Sequence, residues 1–214
     1  VVTTNHFAEF FMGVRNIAWE GLQFSDAIEE VNFAACSKLA RNITTAISNK
    51  PNLRVVNLQQ TLISGEGLQF SDAIEEVYFD WCHYLSKNVV QAISNKPNLR
   101  VASLSGTHPR NHIADFFMDT ISNIVSNIAW EGLQFSDAIE DVNFKACSKL
   151  SENITTAISN RPRLRKVNLS ETPISGEHLQ FSDAIEDVNF SKCKSLSQQA
   201  VLAARQKPHI QLVM

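Results

Sequence analysis

Apolar residues return along this chain in one fixed figure. An apolar position is followed by two free ones, a second apolar, one free, a third apolar, two free, and then Cys or Thr. Ile28, Val31, Phe33 and Cys36 set it out, and Leu53, Val56, Leu58 and Thr61 repeat it. It recurs at Ile74, Val77, Phe79 and Cys82; at Leu99, Ala102, Leu104 and Thr107; at Ile139, Val142, Phe144 and Cys147; at Leu164, Val167, Leu169 and Thr172; and at Ile185, Val188, Phe190 and Cys193. Two apolar residues spaced by one polar residue have the period of a strand with one face inward. Strands are therefore expected near Val31 to Phe33 and at the six equivalent places. The Cys or Thr that follows is expected to tuck beneath the turn and satisfy loop backbone groups.

The figures alternate between an isoleucine unit, as in IEEVNFAACSKL, and a leucine unit, as in LRVVNLQQTLI. After the first isoleucine unit comes NITTAISNKP, where Ile43 and Ile47 lie one helical turn apart and Pro51 ends the run. Equivalent segments end at Pro97, Pro162 and Pro208, so the returns predict helices on the outer face. A longer repeat carries both units. GLQFSDAIEEV from Gly21 returns from Gly67, then with one or two changes from Gly132 and His178, at spacings of 46, 65 and 46.

One unit cannot bury its own apolar face, whereas stacked parallel units share a continuous core. The chain thus reads as an α/β solenoid over residues 1–214, a tandem duplication of 1–107 and 108–214 with an irregular unit at 108–138. The irregular HPRNHIADFFMDTISNIVSNIAW has a shorter relative in NHFAEFFMGVRNIAW from Asn5. The chain closes on HIQLVM, where Ile210 and Val213 open a further figure without a polar cap. Such uncapped termini predict end-to-end stacking. The opening VVTTNHFAEFF has neither Met nor the pattern of a signal peptide, so the native N-terminus is expected to lie upstream.

The isoleucine and leucine units resemble the cysteine-containing leucine-rich repeats, similar to those of F-box substrate receptors and some bacterial effectors. The likeness spans Ile28 to Thr107 and Ile139 to Cys193. It implies a right-handed leucine-rich-repeat solenoid with a concave parallel β-sheet that grips protein partners and outer helices behind it. Residues 1–27 carry no F-box pattern, so a ubiquitin-ligase role would be analogy alone.

Composition narrows the partners. A net charge of -3 offers no basic field for nucleic acid. No uncharged run reaches the roughly 18 residues of a membrane span, because Asp115 and Asp119 interrupt the most apolar stretch. Cys36, Cys82, Cys147 and Cys193 share one position of the figure. Units two apart stand about 10 Å from each other, beyond disulfide reach, so free thiols and a cytoplasmic compartment are expected. No cofactor motif and no catalytic motif is present, and no enzyme is expected. The remaining enzyme candidate is a metal site at His108, His112 and Asp115, against which Pro109 breaks the helix that would align them.

Two polar rows accompany the strands. Glu29, Glu75, Glu140 and Glu186 occupy the position held by Arg54, Arg100 and Arg165 in the alternate units, which predicts acid beside base and a fixed register. Asn32, Asn57, Asn143, Asn168 and Asn189 form a second row, expected to hydrogen-bond along the stack. One unit departs from its own repeat, where VNFAACSKL becomes VYFDWCHYL. Tyr78, Asp80, Trp81, His83 and Tyr84, with Glu76 and Asn57 beside them, make the candidate partner-binding patch on the concave sheet. The rival reading packs Trp81 on its neighbouring loop. The functional expectation is a non-enzymatic protein-interaction module. The alternatives are a structural subunit or consensus array, and, last, the metal-dependent enzyme.

Overall fold

A computed structural model describes residues 6–7, 22–36, 39, 43–107, 132–207 and 209–214. Among them nine short strands form one sheet in which every neighbouring pair is parallel and sequence order equals spatial order. The strands are β1 (His6–Phe7), β2 (Glu30–Asn32), β3 (Val55–Asn57), β4 (Glu76–Tyr78), β5 (Val101–Ser103), β6 (Asp141–Asn143), β7 (Lys166–Asn168), β8 (Asp187–Asn189) and β9 (Gln211–Val213). Among the described residues four helices accompany them, α1 (Ile43–Ile47), α2 (Lys87–Ile93), α3 (Asn153–Ile158) and α4 (Gln198–Arg205). The fold is thus α/β, a single parallel sheet with helices, and it is compatible with a solenoid.

The apolar figure explains the layering. In β2 to β4 and in β6 the middle residue is buried and its neighbours are half-buried, so Val31, Val56, Val77 and Val142 point to one continuous core. The third apolar position lies one residue past each strand, and Phe33, Phe79, Phe144 and Phe190 fill the core from there. The rings of Phe24, Phe70 and Phe135, from LQFSDA, meet Phe33, Phe79 and Phe144 at centroid distances of 6.2, 6.5 and 6.5 Å.

Helices follow only the isoleucine units among the described residues. They lie in the proline-ended returns where the sequence predicts them, while returns 62–73 and 173–184, after the leucine units, hold turns and irregular backbone. Gly65 and Gly176 in those returns adopt φ of 67°, and a Cβ on Gly65 would collide with Val89 of α2. The glycine-bearing return therefore presses closely against the neighbouring helix.

The last strand also corrects the sequence reading. Leu212 pairs with Val188 and Val213 with Asn189, so Leu212 enters the core row and Val213 stands on the open face, 40% exposed. A shift of one residue exchanges the two faces of a strand.

Candidate interaction surface

The seven candidate residues fall in two places. Asn57, Glu76 and Tyr78 lie on the strand face, with Asn57 and Tyr78 directly opposite across β3 and β4. Asp80, Trp81, His83 and Tyr84 lie in turns beyond the strand end, so the expected single patch on the sheet is a strand-face part and a rim part. Trp81 and Tyr84 are 45% and 49% exposed on that rim. Leu62, in the preceding unit, is 58% exposed, and sequence reasoning missed it because a lone leucine just past a turn breaks no pattern.

Each member is held by its neighbours. The Tyr78 hydroxyl donates to Glu76 Oε2 at 2.7 Å. Burial, that bond and the nearby carboxylates push the phenol well above its ordinary range. Asp80 accepts from Gln59 Nε2 at 2.6 Å, from Ser103 Oγ at 2.7 Å and from the Ser105 backbone N–H at 2.7 Å. It ties three successive units together. The Trp81 ring covers Gly106 so closely that a Cβ there would lie 2.5 Å from its Cε3. It meets His83 edge-on at 6.1 Å. Trp81 therefore packs on its neighbouring loop and still leaves much of its surface open.

The asparagine row works differently from the expectation. Asn32, Asn57, Asn143, Asn168 and Asn189 each accept, through Oδ1, the backbone N–H two residues on, at 2.9 to 3.1 Å. The amides thus cap their own turns, and Asn143 Nδ2 also donates along the stack to Ser103 Oγ at 3.2 Å. Where Ser103 replaces Asn, the N–H of Ser105 takes Asp80 from the preceding unit instead.

The charged row follows expectation. Arg54, Arg100 and Arg165 each make a bidentate pair with the glutamate of the following unit, Glu75, Glu140 and Glu186. These contacts hold Glu75 and Glu140 below the usual carboxylate range. A second row, unread in the sequence, joins Asp26, Asp72, Asp137 and Asp183 to Lys50, Lys96, Arg161 and Lys207. That row gives the repeated SDA a structural role.

All four cysteines are free thiols. Cys82 and Thr61 both donate to the Leu58 carbonyl, at 2.9 and 2.7 Å, and Cys147 and Thr107 share Leu104 in the same way. Burial pushes the Cys82 thiol up and the Cys147 thiol to about 12. Among the described residues no three His, Cys, Asp or Glu side chains gather as metal ligands, and no helix is long and apolar enough to cross a membrane. His108, His112 and Asp115 lie outside the described residues. In comparison with known proteins, the chain matches no protein-family model and no curated protein.

Proposed function

We propose that this chain is a right-handed leucine-rich-repeat solenoid of the cysteine-containing type whose concave strand face binds another protein without chemistry. The observation that carries the reading is the coincidence of the one aberrant unit with exposed aromatic surface. Tyr78 stands on the strand face, and Trp81 and Tyr84 stand on its rim. Rigid aromatic side chains with polar neighbours are the composition of an interface anchor. The reduced state of the buried thiols suits a cytoplasmic setting.

Val101→Trp tests the reading. Val101 lies mid-face between Glu76 and Asp141 in the strand register, and Trp keeps a strand-favouring residue while raising a bulky obstacle. The variant should melt within a few degrees of the parent and lose proteins captured from a lysate. Unchanged capture would overturn the reading. A second reading, a subunit stacked end to end in a larger assembly, draws on the exposed Leu202 of α4, Val213 of β9 and Met214. Light scattering across a concentration series distinguishes it, since a stacking chain gains mass without any partner.

A further inference from the structure

We infer that the strand face takes a basic, extended segment of its partner, with an Arg or Lys at every third residue. The inference rests on the proposed protein-binding reading and names the chemistry of the occupant.

Its basis is how the molecule treats its acids. The outer row Glu75, Glu140 and Glu186 is answered one unit away by Arg54, Arg100 and Arg165. The loop row Asp72, Asp137 and Asp183 is answered by Lys96, Arg161 and Lys207. The strand face is the exception. At the first position of β4, β6 and β8 stand Glu76, Asp141 and Asp187, while β5 and β7 between them offer Val101 and Lys166. Three carboxylates thus face one amine over these five strands, and among the described residues Lys166 makes no ion pair with Asp141 or Asp187. Asp141 is held above the usual carboxylate range by burial, with Lys166 opposing and Asp187 adding to the shift. Over β4 to β8 the first strand position thus carries an excess of acid, which is complementary to a positively charged occupant.

Spacing selects the form of that occupant. The three acids recur every second strand, and strands lie about 4.8 Å apart, so the carboxylates repeat at roughly 9.6 Å. A polyproline-type helix has three residues per turn and rises about 3.1 Å per residue, which puts every third side chain on one side at about 9.3 Å. Such a segment crossing the strands would set successive basic groups against Glu76, Asp141 and Asp187. The Tyr78 ring stands beside the first of them, with its hydroxyl already on Glu76.

The test uses a labelled peptide Arg-Pro-Pro-Arg-Pro-Pro-Arg and its rearrangement Arg-Arg-Arg-Pro-Pro-Pro-Pro, titrated by fluorescence anisotropy with the whole chain. The spaced peptide should bind several-fold more tightly than the clustered one. The strand-face variant Glu76→Gln/Asp141→Asn/Asp187→Asn should lose about tenfold or more of that affinity. Asp72→Asn/Asp137→Asn/Asp183→Asn changes net charge equally at exposed pairs and should stay within about twofold. Melting curves confirm that both variants are folded at the assay temperature. Equal losses in the two variants, equal binding of the two peptides, or no binding at all would each overturn the inference. If Val101→Trp abolishes capture of natural partners while the strand-face variant captures them undiminished, the face binds protein but not a basic segment. If neither substitution affects capture, the binding reading itself falls.

Discussion

Trp81 and Gly106 occupy the same position of consecutive units, and so do Ala35, Gln60, Ala146, Glu171 and Lys192, all with φ between 56° and 65°. Ala146 and Ala35 show that a Cβ is tolerated by the backbone there, so Gly106 is required by the ring above it and not by its own φ. Gly106→Ala should therefore destabilise by about 1 to 3 kcal/mol, and Trp81→Ala should remove most of that penalty. A double-mutant cycle in urea checks it, and additive losses would mean that the ring does not rest on Gly106. The thiols make a second prediction. Cys147 keeps its proton to about 12 when folded but to about 8.5 when unfolded. The folded form thus binds the extra proton between those values, and stability falls as pH rises through that window by about 1.4 kcal/mol per pH unit per thiol. Below the unfolded value the thiol has no such effect. Cys147→Ala should flatten the decline in melting temperature between about pH 8.5 and 10.5, whatever it costs at neutral pH.

At the scale of the element, the turn after each strand is the part that must be capped. Five units do this with their own asparagine, while β5 borrows Asp80 from its neighbour. Asp80→Ala should cost about 1 to 3 kcal/mol by stranding the Ser105 N–H, and adding Ser103→Asn should restore much of it. Failure of that rescue in thermal melts would assign the loss to Gln59 instead. This substitution also marks where reading the sequence stopped. The strands near Val56, Val77 and Val167 were evident because their spacing is local. The capping role of Asp80 was not legible, because the group it satisfies lies 25 residues away in another unit. The Asp72 to Lys96 row was hidden for the same reason. Helices were legible in the returns that end at proline, whereas the close approach of Gly65 to Val89 of α2 exists only once the units are stacked. Of the candidate surface, the aromatic departure was readable as a break in the repeat. Its division between face and rim was not, since the strand ends at Tyr78 and the turn begins at Asp80.

At the scale of the whole molecule, each unit is bonded to the next by the same strand pairing, but the charged contacts alternate in sense. Removing residues 55–100 joins Arg54 to Val101 in register and takes out one isoleucine and one leucine unit together. That shortened chain should still unfold in one cooperative transition. Removing only 55–75 joins Arg54 to Glu76 and sets Arg54 beside Arg100 and Glu30 beside Glu76, so its melting temperature should be the lower of the two despite the larger number of units retained. Calorimetry of both deletions decides the order. The bidentate pairing of Arg54 with Glu75 and of Arg165 with Glu186 therefore does more than hold neighbours in place. It gives the molecule a parity: copies can be added or lost in twos at no electrostatic cost, while an odd insertion is penalised at its junction. The 46-residue repeat is the smallest length by which such a gene can grow by unequal exchange and still encode a matched interface at every joint.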